Sequence, residues 1–166
     1  MNKLEAFYRD IDERVNALTH LHASRLHCNA GCCDCCIDDL TVYEVEADAI
    51  RNYHADMLEH SLPHPTGACA FLNNNDLCSI YEHRPYVCRT QGLPLHWLNE
   101  NDDGTVMGFR DICPKNDDGI AVEALPEDRC WGIGAAEEKL TMMQYVQENG
   151  VMTRIRLRDM FKQQSD

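Results

Sequence analysis

The sequence has few basic residues and no long apolar run. Its 166 residues include 15 Lys and Arg against 28 Asp and Glu, which gives a formal net charge of −13. Such a charge repels phosphate backbones and anionic lipid, so we expect neither a nucleic-acid partner nor a membrane surface. No segment has the length of a membrane span or of the apolar region of a signal peptide. We therefore expect a cytoplasmic protein, whose thiols stay reduced.

Signatures of common enzyme classes and of modular architecture are also missing. We find no Ser/His/Asp pattern, glycine-rich phosphate-binding loop, internal repeat, low-complexity tract or interdomain linker. A hydrophobic share of 44% with 26% charged residues is ordinary for a globular chain. We predict one domain over residues 1–166 with a modest core, and the sequence indicates no particular catalytic residue.

What the sequence has in excess is cysteine. Five of its ten cysteines fall within residues 28–36, which read CNAGCCDCC. Core packing does not require such crowding, whereas thiolates are the soft ligands that zinc and iron accept. In a reducing compartment the cluster indicates metal binding rather than disulfides. Cys35 and Cys36 tend to point to opposite sides of an extended backbone, which favours two metals or one cluster approached from two directions.

The spacing leaves the identity of the metal open. Zinc ribbons and iron–sulfur clusters both use cysteines separated by two residues. Cys113 is followed by proline, as is the last ligand of bacterial ferredoxins, but the full ferredoxin run is absent. All-sulfur zinc sites are normally closed and structural, whereas an iron–sulfur centre could carry electrons or act on a substrate.

The pattern around the cysteines predicts a mostly helical α+β fold, small and irregular, with cysteine-bearing loops between terminal helices. Apolar residues at steps of three and four predict a helix over residues 3–26. A capping box formed by Thr41 and Glu44 predicts a second helix over roughly 42–60.

One hairpin, a second tight turn and further helices are predicted beyond the first cluster. The turn-forming run Asn73–Asp76 predicts a hairpin that brings Cys69 near Cys78. A second turn at 101–104 precedes a predicted strand at 106–109. A helix is predicted after Gly134, and a last one from the spacing of Ile155, Leu157, Met160 and Phe161. The predicted domain thus has a metal-binding core at 28–113 and flanking helical regions at 1–27 and 131–166.

Two cysteine boxes resemble those of a known family. The first is Cys28-x3-Cys32-x2-Cys35-Cys36. The second follows Cys69 and reads Cys78-Ser-Ile-Tyr-Glu-x-Arg84-Pro85-x-x-Cys88-Arg89. Together they resemble the YkgJ-type cysteine-cluster family, described as chelating zinc or iron, which is marked by a C-x(2,3)-C-x2-C-C box and a C-S-I-Y-x-x-R-P-x-x-C-R box. The resemblance covers roughly residues 28–113.

The resemblance implies a ligand set of eight thiolates. They are Cys28, Cys32, Cys35, Cys36, Cys69, Cys78, Cys88 and, from the later region, Cys113. Eight thiolates suit two four-sulfur zinc sites, or one cluster with spare or bridging thiols. Cys33 is extra to the first box, and Cys130 competes with Cys113 for the last position, so the ligand count stays open.

Two arginines flank Cys88 in the second box. Arg84 and Arg89 are expected to support the site by donating hydrogen bonds to sulfur. The alternative is that either pairs with one of the many surface carboxylates.

The function we predict is metal binding through the cysteine cluster, with the metal chiefly structural and the loops organised for contact with a protein partner. The alternative is an iron–sulfur protein that acts in electron transfer or as a protein-modifying enzyme. The resemblance includes larger proteins in which a similar domain accompanies methylation of protein lysines, but this sequence has no separate methyl-donor motif.

Overall fold

A computed structural model describes residues 2–162 and confirms the mixed α+β class. The helices, in chain order, are α1 (Lys3–Leu21), α2 (Glu44–His60), α3 (Tyr86–Arg89) and α4 (Ala135–Gln147). The strands are β1 (Thr41–Tyr43), β2 (Leu95–Glu100), β3 (Val106–Asp111), β4 (Trp131–Gly132) and β5 (Arg154–Arg156). No helix among the described residues is long and apolar enough to span a membrane.

The chain forms two compact units. The first unit combines Met1–Cys28 with Tyr86–Lys139, and the second combines Asn29–Pro85 with Leu140–Asp166. Each unit therefore contains segments from distant parts of the sequence. The expectation of one domain over residues 1–166 stays a prediction.

The first unit is built on α1 and a small sheet. Helix α1 begins with a capping box, in which the Asn2 side chain accepts from the N–H of Leu4 at 2.7 Å and Glu5 accepts from the N–H of Asn2 at 3.0 Å. It ends at Leu21 rather than at residue 26, because the backbone angles of His22, φ −104° and ψ 17°, are not those of a helix.

The sheet of the first unit has the strand order β3-β2-β4. Strands β2 and β3 form a hairpin that includes the strand predicted at 106–109, with Trp97 paired to Phe109 and their rings stacked at 5.7 Å. Strand β4 runs parallel to β2. Trp131 in β4 donates its indole N–H to the Tyr86 hydroxyl at 2.9 Å, which ties the sheet to α3.

The second unit packs α2 against the β1–β5 pair and the cysteine hairpin. Val42 of β1 pairs with Ile155 of β5 in antiparallel register. The buried apolar core of this unit consists of Val42, Ala47, Ile50, Leu58, Cys69, Ala70, Phe71, Leu72, Ile80, Leu157, Met160 and Phe161. Buried residues of the cysteine hairpin, among them Phe71 and Leu72, thus share a core with the C-terminal segment.

Two predictions about the second unit are wrong. Thr41 does not cap α2: it lies in β1, and Arg154 donates to its hydroxyl at 2.9 Å. The N–H of Val45, near the start of α2, instead donates to the buried Gln144 side chain at 3.0 Å.

The predicted last helix is also absent from the described residues, because Ile155 pairs in β5 and the N–H of Leu157 donates to the Leu40 carbonyl. A short 3-10 helix, Leu157–Met160, follows.

Candidate metal centre

The cysteines are distributed over both units. The second unit contains Cys32, Cys33, Cys35, Cys36, Cys69 and Cys78, and the first contains Cys28, Cys88, Cys113 and Cys130. Cys28 and Cys35 are exposed, Cys69 and Cys130 are buried, and the other six are half-buried. The two boxes therefore do not map one to each unit.

The hairpin predicted between Cys69 and Cys78 is confirmed. Leu72 and Cys78 form an antiparallel bridge, and the N–H of Ser79 donates to the Phe71 carbonyl at 2.8 Å. The Asn73 side chain closes the turn by accepting two backbone N–H groups, at 2.8 and 3.1 Å. This closure places the two thiols near enough to interact electrostatically.

Each hairpin thiol accepts a backbone N–H from the second residue after it. Phe71 donates to the Cys69 sulfur and Ile80 donates to the Cys78 sulfur. Burial raises the pKa of both thiols, while these N–H groups lower it. Such N–H bonds to sulfur are the kind of outer contact that stabilises metal-bound thiolates.

The first cluster meets the hairpin through the backbone. The N–H of Cys69 donates to the Cys36 carbonyl at 2.8 Å, and the N–H of Cys36 donates to the Cys33 carbonyl at 2.8 Å. Cys33, Cys36 and Cys78 are partly buried against the same apolar core that contains Cys69. Cys33, which the family box does not include, therefore borders the same core as three of the predicted ligands.

Asn116 organises the cysteines of the first unit. It is fully buried, and its side chain donates to the Cys28 sulfur at 3.2 Å and to the Gly92 carbonyl at 2.8 Å. Its side-chain oxygen accepts the N–H of His27 at 2.8 Å, and its own N–H donates to the Cys113 carbonyl at 2.8 Å. Asn116 thus links the segment of Cys28, through its side chain, to that of Cys113, through its backbone.

Cys130 has the environment of a packing residue. It is 2% exposed in an apolar cluster with Ile112, Val122 and Leu125. Its sulfur lies 3.7 Å from the Pro126 carbonyl, and burial raises its pKa.

The two arginines of the second box have different surroundings. Arg84 donates to the Tyr81 carbonyl at 2.8 Å and lies over the Tyr81 ring. Burial raises the pKa of the Cys78 thiol, and the charge of Arg84 offsets part of that rise. Arg89 is buried in the first unit, where it donates to Asp12 at 2.5 Å and lies over the Tyr8 ring. The expected support of the metal site by both arginines stays a prediction.

Three residues that contribute to the cysteine loops were not predicted from the sequence. Asp38 and Arg158 join in the second unit, and Asn116 acts in the first. Asp38 lies two residues after the first box, and this proximity is the only local signal that any of the three residues carries. Arg158 and Asn116 lie outside both boxes, and only the folded chain brings them to the cysteines.

The donor set fits zinc or iron in its chemistry. Thiolates with N–H groups directed at their sulfur are typical of both metals. Within residues 2–162, no group of three or more His, Cys, Asp or Glu side chains is placed where it could hold a metal ion. The loops would therefore have to bring more sulfurs together on binding.

The family comparison identifies the class of protein to which these boxes belong. The family model described as "CxxCxxCC: Putative zinc- or iron-chelating domain" matches residues 27–114. Because this match spans more than half of the 166 residues, the chain belongs to this family. The resemblance of the two cysteine boxes is thereby confirmed. Neither a curated protein nor a solved structure matches the chain.

Proposed function

We propose that this protein binds zinc or iron through its cysteine thiolates and that the metal is chiefly structural. The observation that carries the proposal is the hairpin of the second unit, in which Cys69 and Cys78 lie close together and each sulfur accepts a backbone N–H. Two thiols arranged in this way offer a preformed part of a sulfur site.

The proposed ligands are the eight cysteines that the family resemblance implies. Those of the second unit are Cys32, Cys35, Cys36, Cys69 and Cys78, and those of the first are Cys28, Cys88 and Cys113. The metal would offset the negative charge of the thiolates and hold the loops in one arrangement, as closed sulfur sites do. The ordered loops would then present a surface to a protein partner in a reducing compartment such as the cytoplasm.

Serine substitutions of the cysteines test the ligand assignment. We expect Cys78→Ser or Cys35→Ser to lower the metal content of the anaerobically purified chain to about half or less, because an alcohol replaces a strong thiolate ligand. Cys33→Ser and Cys130→Ser are the matched controls and should retain nearly all of the metal. Elemental analysis gives the metal content, and circular dichroism shows whether each variant is folded. A folded Cys78→Ser variant with the full metal content would contradict the assignment.

Iron in a cluster is the second candidate, because the family description includes iron and N–H groups at sulfur also tune iron–sulfur centres. This version could support electron transfer or protein modification of the methylation type. Acid-labile sulfide in an amount that matches the iron would favour it over zinc.

A further inference from the structure

Arg158, in the short 3-10 helix of the second unit, donates hydrogen bonds to four residues that are distant in sequence. Its guanidinium pairs with Asp38 and donates to the carbonyls of His64 at 2.6 Å, Pro65 at 3.2 Å and Ala68 at 2.8 Å. A planar guanidinium can serve several acceptors at fixed angles, which a lysine cannot do. All three carbonyls belong to the loop that leads into Cys69.

Asp38 connects the same loop to the first cysteine cluster. Its second oxygen accepts the N–H of Gly67 at 2.9 Å. Asp38 lies two residues after Cys36, and Gly67 lies two residues before Cys69. Since the Cys69 N–H also donates to the Cys36 carbonyl, the two chain segments are joined at both the cysteines and the aspartate.

A neighbouring pair shows what an ordinary surface contact looks like in this segment. Arg158 and Asp38 have side chains only 18% and 20% exposed. Arg156 and Asp39 are 49% and 86% exposed, and their charged atoms are 3.8 Å apart. Exposed ion pairs such as Arg156 and Asp39 contribute little to stability. A largely buried arginine with four hydrogen-bond partners, such as Arg158, holds its neighbours in place.

We propose that Arg158 is a positioning residue for the metal loops: with Asp38 it fixes the segments that carry Cys36 and Cys69. Arg158 lies outside the family match at 27–114, so the C-terminal segment contributes to the geometry of the cysteine loops as well as to packing. The inference rests on the proposed function only in assuming that Cys36 and Cys69 bind metal.

The test compares full-length Arg158→Gln and Arg158→Lys with Arg156→Gln, each purified without oxygen and loaded with Zn²⁺. Hydrogen exchange of the Gly67 and Cys69 amides reports loop position, and the Val45 amide, in the same unit, reports global opening. We expect both Arg158 variants to speed Gly67 and Cys69 exchange about tenfold or more without affecting Val45. Release of zinc to a chromogenic chelator should be faster by a similar factor.

Several results would overturn the inference. Equal exchange in the Arg158→Gln and Arg156→Gln proteins would do so, as would equal acceleration at Val45, which indicates a merely global effect. Wild-type behaviour of Arg158→Lys would show that positive charge suffices and positioning does not matter. If wild-type protein takes up neither Zn²⁺ nor Fe²⁺, the proposed function fails, while exchange in the metal-free chain still decides whether Arg158 positions the loop.

Discussion

Asn116 joins the segments of Cys28 and Cys113 in the first unit by hydrogen bonds. Its buried side chain has hydrogen-bond partners on Cys28, Gly92 and His27. The donor to Cys28 directs an N–H at a predicted metal ligand, as the backbone does at the two hairpin thiols. Sulfur in both units therefore accepts N–H groups, supplied by a side chain in one unit and by the backbone in the other.

A glycine beside Cys28 gives a sharp test of this close packing. Gly92 has φ +88°, and a Cβ at this position would lie 2.8 Å from the Cys28 sulfur and 3.2 Å from the Asn116 amide nitrogen. Gly104 has φ +80° and nothing within 4 Å of such a Cβ. Both Gly→Ala changes incur the left-handed backbone cost, but only Gly92→Ala also displaces Cys28.

We expect Gly92→Ala to lower the free energy of unfolding by about 1–3 kcal/mol more than Gly104→Ala does. Chemical denaturation of the two variants and the wild-type protein measures the difference. Equal destabilisation by the two changes would contradict the close contact between Gly92 and Cys28.

Sequence patterns predicted the residues with local signals and missed those with distant partners. The cysteine boxes and the Asn73 turn are short runs, so spacing alone predicted them. The missed contacts join residues far apart in sequence: 88 positions separate Cys28 from Asn116, and 120 separate Asp38 from Arg158. No local pattern marks which of many arginines or asparagines will meet a cysteine loop.

At the scale of elements, pairing of the backbone explains why two predictions were wrong. The Ile155–Phe161 spacing is compatible with a helix, but strand pairing with β1 supplies backbone partners that a helix would otherwise provide. Gln144 similarly replaces Thr41 as the partner at the start of α2. The fold class could be predicted because it depends on the periodicity of apolar residues. The cap of α2 and the conformation of residues 155–161 depend instead on which element of the fold lies next to each segment.

Helix α2 contains a titratable contact at a break in its regular geometry. His54 has φ −128° and ψ 26°, and its ring nitrogen lies 3.0 Å from a ring nitrogen of His83, which stacks on Tyr53. Burial, together with the charge of His83, lowers the pKa of His54 below its usual 6.5. The folded state thus favours neutral His54, whose stabilising effect is present above pH 6.5 and is lost as the pH falls through the lowered value.

We expect the fall in Tm between about pH 7.5 and about pH 5.5 to be smaller in His54→Gln than in the wild-type protein, because glutamine does not titrate. The exposed His60 in the same helix provides the matched control, His60→Gln, which should behave like wild type. Thermal unfolding followed by circular dichroism at both pH values checks this. An unchanged pH dependence in His54→Gln would contradict the assignment.

At the scale of the whole molecule, residues outside the family match support those inside it. Arg158, Gln144 and Asn116 all lie beyond residue 114, where the match ends. Each contacts a segment inside the matched region: Asp38, Val45 and Cys28 respectively. The region that matches the family model therefore packs against residues of this chain that follow it in sequence.

Removal of the metal should unfold much of residues 28–113, because ordering these loops is coupled to ligation. We expect the Tm of the chelator-treated protein to fall by about 10 °C or more relative to the metal-bound form. In the metal-free protein, limited proteolysis should cleave peptide bonds within residues 28–113 earlier than those within α1. Unchanged thermal stability after complete removal of the metal would contradict a structural role.

The most direct test of the central claim is the metal and sulfide content of the protein purified without oxygen, measured together with its visible spectrum. We expect a colourless protein that contains about two zinc ions per chain, because eight thiolates are the number that two four-sulfur zinc sites require. Broad visible absorbance with matching amounts of iron and sulfide would show that the bound metal is an iron–sulfur centre and not zinc. A folded protein with no bound metal, and no uptake of added Zn²⁺ or Fe²⁺, would contradict the claim itself.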